Sequence, residues 1–247
     1  MNLYTNEFYS AFQKGSTSSA VQIIPIILEF LDIKSVVDIG CGVGTWLSVC
    51  RDLGINDFLG IDGDYVNKDQ LLIPQNQFIA VDITKSIKID RKYDLAISLE
   101  VGEHLPEKSA KIYIKSLVEL SDVILFSAAI PFQGGENHIN CQWPEYWVNL
   151  FKYEEYNVVD LIRKRVWNNS YVDHWYAQNI FLFVKNDYLE KNSKLLQEYR
   201  LTNMNQLSIV HPKRYIEIWE LYNKLSNKNG YQIVNKFKEY LKKFLPK

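Results

Sequence analysis

A chain of 247 residues, 47% of them hydrophobic, is long enough to bury a core and suits one domain with an appendage or two small domains. The formal net charge of -1 excludes a general attraction for nucleic acid or anionic membranes, so either partner would need a local basic patch. Three cysteines without a Cys-x-x-Cys pair argue against a disulfide framework or a zinc site, and they favour a reducing cytoplasm.

The first 34 residues are predicted to precede the main domain as a separate unit. Ser18 and Ser19 favour the N-cap of an apolar helix that ends near Leu31, with a kink at Pro25. The most apolar early run, residues 21–31, contains polar residues and is too short to span a bilayer. The sequence therefore predicts neither a signal peptide nor a transmembrane segment.

Short apolar runs alternate with helical stretches from Ser35 onward. This alternation is typical of an α/β domain in which helices cover both faces of a parallel sheet. We predict strands near 35–39, 57–61, 77–81, 93–98, 122–127, 155–160 and 177–184. Beyond Lys185 the composition changes, and we predict three helices near 187–201, 213–226 and 231–244. The predicted organisation is 1–34, 35–185 and 186–247.

A glycine-dense turn joins the first predicted strand to the next helix. Gly40, Gly42 and Gly44 alternate after Asp38, whereas the dinucleotide fingerprint Gly-x-Gly-x-x-Gly would need its third glycine at Thr45. Glycines permit positive φ and a close approach of ligand to backbone, and helix N-terminal amides favour a carboxylate. The pattern Asp-x-Gly-x-Gly-x-Gly resembles the first motif of class I S-adenosylmethionine-dependent methyltransferases; an ordinary tight turn is the alternative.

The resemblance implies a Rossmann-like, seven-stranded, mostly parallel sheet whose last strand is antiparallel. It also implies S-adenosylmethionine as the methyl donor, bound through Asp38 and the three glycines. Asp62 ends the second strand about 20 residues after Gly40, where an acidic side chain of the family meets the ribose hydroxyls, with Asp64 as its competitor. A leader such as residues 1–34 often folds over the donor in this family. Packing on the sheet edge is the alternative for its aromatic residues Tyr4, Phe8, Tyr9 and Phe12.

Two further positions are assigned to the donor by the same resemblance. Asp82 and Ile83, after the third strand, are similar to the motif that meets the adenine, and a turn aspartate is the alternative. Leu99 closes the fourth strand, whose exit resembles the family's fourth motif. The substrate side is therefore expected around residues 99–105 and 128–143, at the carboxyl ends of the central strands.

Glu100, Glu103 and His104 follow the fourth strand. Residues three and four apart share a face of a helical turn, so we expect these three side chains to converge, and together they can hold a hard divalent cation. The spacing is similar to that of methyltransferases that bind magnesium, such as the small-RNA 2′-O-methyltransferases and the ubiquinone-type O-methyltransferases. A second histidine often completes that site, and here His138 is the candidate. The expected metal is Mg²⁺ or Mn²⁺.

A metal-free site is the alternative interpretation of the same residues. Acidic residues at this position cap a helix in many class I methyltransferases, and a histidine lines the pocket. His104 or His138 would then be the general base that takes a hydroxyl proton, with Glu103 beside them. Both interpretations place the reacting hydroxyl against the same side chains.

The acceptor is predicted from the loop that spans residues 132–146. It offers side chains suited to a polyol, namely Gln133, Asn137, Asn140, Gln142 and Trp143. Together with stretches at 142–147, 163–167 and 175–179, it is similar to bacterial methyltransferases associated with surface-polysaccharide gene clusters. This resemblance covers residues 16–184 and implies O-methylation of a sugar, nucleotide-sugar or related capsule or lipopolysaccharide precursor. The basic triplet 163–165, Arg-Lys-Arg, would either meet a phosphate of such an acceptor or form a solvated loop.

The predicted C-terminal helix, residues 231–244, has apolar residues at helical spacing and lysines on its other faces. It is expected to pack on the core or across a homodimer, with contact at an anionic membrane surface as the alternative. Membrane contact would favour a quinone or lipid phenol as acceptor. The hypothesis from another class is a non-catalytic methyltransferase-like domain that acts as a binding or scaffold partner. No nucleic-acid partner is expected.

Overall fold

A computed structural model describes residues 6–229, and the side chains of residues 14–224. Within that range the strands form one seven-stranded sheet in the order β3-β2-β1-β4-β5-β7-β6. Strands β1 to β5 pair in parallel, and β7 is antiparallel to both β5 and β6. The predicted mostly parallel sheet with a reversed last strand is confirmed. The strands are Ser35–Ile39 (β1), Asp57–Asp62 (β2), Phe78–Ala80 (β3), Leu95–Leu99 (β4), Val123–Ser127 (β5), Tyr156–Val159 (β6) and Phe181–Lys185 (β7).

Helices cover both faces of the sheet. Every residue of β1, β4 and β5 is buried, as expected for central strands of a parallel sheet. Alternate residues of β1 enter different cores, since Val36 packs with α1 and α2 while Val37 packs with α3 and α4. The helices are Asn6–Leu28 (α1), Thr45–Asp52 (α2), Ala110–Leu120 (α3), Pro144–Tyr153 (α4), Arg163–Val166 (α5), His174–Asn179 (α6), Asn186–Lys191 (α7), Ser193–Arg200 (α8) and Pro212–Asn229 (α9).

The strand order reverses between β1 and β4, and this reversal locates the site. Strand β1 is followed in the chain by β2 on one side, while its other neighbour is β4. Asp38 of β1 pairs in register with Gly60 of β2 and with Ile97 of β4. In open α/β sheets a crevice forms beyond the carboxyl ends of the strands at such a switch point, so the turns that follow β1 and β4 face a common space.

The N-terminal helix is longer than predicted. Ser18 and Ser19 lie inside α1, so the predicted N-cap is wrong. Their hydroxyls are satisfied within the fold instead, because Ser19 donates to the carbonyl of Gly15 one turn earlier and Ser18 donates to the carbonyl of Tyr171. Pro25 lies inside α1, in its last turn, and the kink expected there stays a prediction. The side chains of the expected aromatic lid lie outside the described residues.

The region around β7 also differs from the prediction. Residues 177–179 belong to α6 and not to a strand, and β7 begins at Phe181. The helix ends in Gln178 and Asn179, whose buried amides take part in side-chain hydrogen bonds that an isolated strand pattern does not reveal. The helix predicted at 187–201 is two helices, because Asn192 interrupts it and caps α8 by accepting from the Leu195 amide.

The described part of the C-terminal extension, residues 186–229, contains α7, α8 and α9. The helix predicted at 231–244 lies outside the described residues. Among the helices that are described, none is long and apolar enough to cross a membrane.

The basic triplet that begins α5 is structural, so both of its predicted roles are wrong. Arg163 is 2% exposed, forms an ion pair with Asp160 and donates to the carbonyls of Gln178 and Leu207. Lys164 and Arg165 both pair with Glu198 of α8. The triplet therefore binds the helical extension to the core and is neither a phosphate site nor a solvated loop.

We expect Arg163→Lys to lower the free energy of unfolding by about 2 kcal/mol, because a lysine cannot reproduce the several fixed donors of a buried guanidinium. Urea denaturation would measure this change. Lys164→Ala is the matched control, because its half-exposed ion pair should contribute less than about 1 kcal/mol. Equal losses in the two variants would contradict the structural role of Arg163.

Candidate active site

The turn after β1 has the backbone conformation that its glycines predict. Gly40 and Gly44 have φ values of 82° and 83°, in the left-handed region where a side chain is strained. A Cβ at Gly40 would lie 2.3 Å from a methyl carbon of Val101, so the turn after β4 approaches this backbone closely. A Cβ at Gly42 would meet open space, and the amide of Gly42 donates to Asp62 at 2.7 Å. The three glycines thus shape an open cradle at the start of α2.

Asp62 connects this cradle to the end of β2. Its side chain is 4% exposed; one oxygen accepts from the Gly42 amide, and the other accepts from the Gly63 amide at 2.6 Å and from the Tyr65 hydroxyl. Asp64, the predicted competitor, is exposed. Asp38 is buried beneath the turn, and burial together with the negative charge of Asp62 raises its pKa well above the ordinary value. Asp62 is therefore the acidic side chain that faces the cradle.

The three other predicted donor residues lie at the ends of their strands. Asp82 accepts from the hydroxyl of Thr84 at 2.5 Å and from its amide at 3.1 Å and forms an ion pair with Lys85, and these contacts lower its pKa to about 2. This is the geometry of a turn aspartate, and contact with an adenine stays a prediction. Ile83 and Leu99 are both 9% exposed and pack in the apolar core.

Glu100 does not share a helical face with Glu103 and His104, so that expectation is wrong. Glu100 has a φ of 55°, and only the residues after it, Gly102–His104, form a short 3-10 turn. Its carboxylate accepts from the Gln133 amide at 2.8 Å and from the Asn179 amide at 3.2 Å. These amides bind Glu100 on the side of the β5 loop and α6, while its carboxyl stays close enough to Glu103 for the two groups to shift each other's pKa.

Glu103, His104 and His138 form the cluster that the structure does bring together. Ligand atoms of the three side chains all lie within 4.8 Å of one another, and the two imidazole centroids are 4.7 Å apart. Glu103 is fully buried, and neither of its carboxylate oxygens makes a well-aligned hydrogen bond to the described residues; the Glu100 carboxyl and the backbone amides of Glu103 and Ala129 are near enough to shift its pKa. The inclusion of His138 from the loop after β5 was predicted from the sequence. The geometry supplies two imidazoles and one carboxylate to a single point.

The turn and the loop that carry these ligands are joined through the backbone. The carbonyl of Glu103 accepts from the amides of Ile139 and Asn140, both at 2.9 Å. The backbone of Glu103 therefore fixes the residues immediately after His138, and the side chain of Glu103 takes no part in this contact.

The pKa shifts of the two histidines suit metal ligation, whereas the raised pKa of Glu103 means that a cation would have to displace a proton from its carboxyl. Burial and the neighbouring His104 lower the pKa of His138 to about 4, and partial burial lowers the pKa of His104. Burial and the negative charge of Glu100 raise the pKa of Glu103 well above its ordinary value. At neutral pH both imidazoles are neutral and can donate a lone pair to a metal, whereas a group with a pKa near 4 is a weak general base.

Some residues around the site were not predicted from the sequence. Gln178 and Asn179 bind the side chain of Gln133, and Asn179 also binds Glu100. Gln133 itself donates to Glu100, and its predicted contact with the acceptor stays a prediction. Cys141 places its sulfur 3.7 Å from Nδ1 of His138. Gln178 and Asn179, which lie at the start of the strand predicted at 177–184, were the available signal, since a strand buried on both faces would not contain two adjacent polar residues.

Residues 18–124 match the family model described as "Methyltransferase domain", and this stretch includes the glycine turn and the Glu103 turn. No curated protein matches the chain.

Several solved structures share the fold. The methyltransferase domain of bacterial CtHen1-C is 20% identical, with 69% of this chain and 98% of that chain covered at a TM-score of 0.51. Streptomyces venezuelae DesVI is 13% identical, and the match covers 73% of this chain and 96% of that chain at a TM-score of 0.52. An S-adenosylmethionine-dependent methyltransferase from Clostridium acetobutylicum is 14% identical, and the match covers 73% of this chain and 98% of that chain at a TM-score of 0.53. At these identities the likeness establishes the fold.

Proposed function

We propose that this chain, whose residues 18–124 match the family model of a methyltransferase domain, is an S-adenosylmethionine-dependent O-methyltransferase assisted by a divalent metal. The observation that carries the proposal is the side chain of Glu103, a fully buried carboxylate without a well-aligned hydrogen bond to the described residues. An unpaired buried carboxylate is costly, and two neutral imidazoles beside it complete a ligand set for a cation. Two nitrogen ligands favour Mn²⁺ or a similar transition ion over Mg²⁺.

The donor end of the mechanism depends on the cradle after β1. We assign Asp62, whose carboxylate accepts from the Gly42 amide, to the ribose hydroxyls, and the amides of the first turn of α2 to the donor carboxylate. The sulfonium methyl of the donor is already activated, so the protein mainly has to align the acceptor oxygen with the carbon-sulfur bond.

The acceptor end depends on Glu103, His104 and His138, which would hold the metal. A bound divalent cation supplies Lewis acidity, which lowers the pKa of a coordinated hydroxyl. The chain contributes the orientation of that hydroxyl, through a turn and a loop joined at the Glu103 carbonyl. Because β1 and β4 are neighbours at the switch point, the metal cluster and the donor cradle lie at the same edge of the sheet.

A hydroxyl of a sugar, a nucleotide-sugar or a related capsule or lipopolysaccharide precursor is the acceptor that we propose. The support is the composition of the loop beside His138, where Glu136 and Asn137 are exposed and can hydrogen-bond a polyol. A screen of nucleotide-activated sugars and polysaccharide fragments for methyl transfer tests this choice. Transfer to a phenol or to RNA, with no sugar accepted, would contradict it.

Chelation tests the metal. With an accepted substrate, we expect removal of divalent ions to lower the rate of methyl transfer by roughly a hundredfold, because the hydroxyl then keeps its ordinary pKa. Added Mn²⁺ should restore the rate. Donor affinity, measured by calorimetry on the same chelated sample, is the control and should not change. An unchanged rate after thorough chelation would leave the general-base mechanism.

Tyr65 gives a test of the donor site that needs no acceptor. Its side chain is 78% exposed, yet its hydroxyl bonds the Asp62 carboxylate that we assign to the ribose. The donor hydroxyls must displace that phenol, so Tyr65→Phe should bind S-adenosylmethionine about fivefold more tightly. Calorimetry would measure the change, with Tyr153→Phe, 86% exposed on α4, as the control. Weaker binding would mean that the Tyr65 hydroxyl itself contacts the donor.

A further inference from the structure

The first turn of α9 contacts the loop that leads to His138. One terminal nitrogen of Arg214 donates to the carbonyl of Phe132, and the other pairs with Glu217 at 2.9 Å. The Arg214 side chain is only 16% exposed, so this contact is largely shielded from water. A charge-assisted hydrogen bond in such a setting is stronger than one between neutral groups.

The carbonyl that Arg214 binds belongs to a strained residue. Phe132 has a φ of 67° and Asn137 a φ of 56°, and a left-handed residue other than glycine or asparagine costs about 1–2 kcal/mol. Gly134 and Gly135 between them also have positive φ. Glycine adopts positive φ without strain and asparagine at little cost, so the strain lies at Phe132, and a strained residue keeps its conformation only when its surroundings hold it.

The next residue of the loop is held from the same part of the chain. The side-chain oxygen of Gln133 accepts from Asn179 at 2.7 Å and from Gln178 at 3.3 Å. Gln178 in turn accepts from the backbone amide of His211 at 2.8 Å. His211 and Arg214 therefore support two consecutive residues of the loop, one through Gln178 and one directly.

We propose that Arg214 is a positioning residue that keeps the loop of residues 132–138 in the conformation that brings His138 to Glu103 and His104. The link to metal binding rests on the proposed function, whereas the link to loop conformation stands without it. This role makes the helical extension part of the site, although α9 lies far along the chain from every proposed ligand.

Hydrogen exchange of the loop is the first readout. The amides of Ile139 and Asn140 donate to the Glu103 carbonyl, so they are protected only while the loop is in place. We expect Arg214→Ala to exchange these amides about tenfold faster than the wild type, and Arg214→Lys, which keeps one donor, to fall between them. Arg200→Ala removes an exposed arginine at the end of α8 and should exchange like the wild type.

The second readout is Mn²⁺ affinity by calorimetry, which we expect to fall about tenfold in Arg214→Ala and to stay unchanged in Arg200→Ala. Glu217→Gln removes the ion pair of Arg214 while leaving its bond to Phe132, so it should retain slow exchange and separates positioning from a general loosening of α9. Unchanged exchange in Arg214→Ala would overturn the proposal. A wild type that binds no Mn²⁺, with faster exchange still seen in Arg214→Ala, would instead overturn the metal and leave the positioning role standing.

Discussion

Glu103→Gln is expected to abolish metal binding and to lower kcat/KM roughly a thousandfold, a loss of about 4 kcal/mol in transition-state stabilisation. The amide is nearly isosteric with the carboxylate but carries no charge for a cation. In the same variant we expect the metal-free protein to be about 1–2 kcal/mol more stable than the wild type near pH 8, because burial and the neighbouring Glu100 disfavour ionisation of the wild-type carboxyl. A loss of activity combined with a gain of stability separates a functional carboxylate from a structural one.

The stability gain should depend on pH in a defined direction. Burial and Glu100 raise the folded-state pKa of Glu103 above its ordinary value of 4.5, so the folded protein binds more protons than the unfolded chain over the pH range above that value. Wild-type stability therefore falls as pH rises through this range, and the advantage of Glu103→Gln should be small near pH 4 and larger near pH 8.

Urea denaturation at several pH values with a chelator present, together with Mn²⁺ calorimetry, measures both effects of Glu103→Gln. Glu107→Gln is the matched control, since Glu107 is exposed and four residues further on; it should bind Mn²⁺ and unfold like the wild type. Normal Mn²⁺ affinity in Glu103→Gln would refute the ligand role, and a destabilised Glu103→Gln would show that the carboxylate has a partner in the fold.

Asp62→Ala should weaken the binding of S-adenosylmethionine by roughly a hundredfold. The substitution removes the acceptor for the two ribose hydroxyls, and it also frees the Gly42 amide, which shapes the cradle. Calorimetry with S-adenosylmethionine measures the loss. Asp64→Ala tests the competing assignment, because Asp64 is exposed two residues further on and should leave the affinity unchanged. If Asp64→Ala shows the larger loss, the two roles must be exchanged.

The parts of this molecule that were predictable depend on short stretches of chain. The strands around residues 36 and 124 are β-branched runs buried on both faces, and their pattern is enough to identify them. The turn after β1 was predictable because Gly40 and Gly44 have the positive φ that their identity permits. In each case the local sequence and the final structure favour the same conformation.

The predictions were wrong where contacts between segments distant in sequence determine the conformation. The hydroxyls of Ser18 and Ser19 are equally suited to a cap or to a helix interior, and packing of α1 selected the interior. Glu100 adopts a left-handed conformation that a helical spacing rule does not anticipate. Arg163 is buried by carbonyls from other segments, so its charge pattern alone suggested a solvent-facing role. The residues whose carbonyls bind Arg163 are distant from it in sequence.

The backbone carbonyl and the side-chain carboxylate of Glu103 have separate roles, and this separation has an evolutionary consequence. The carbonyl joins the turn to the loop of His138, while the side chain makes no well-aligned hydrogen bond to the described residues. A single substitution could therefore end catalysis, keep the architecture and increase stability. Under relaxed selection for turnover, we expect this position to diverge first, so that inactive relatives would keep the fold and the donor cradle and differ at this residue.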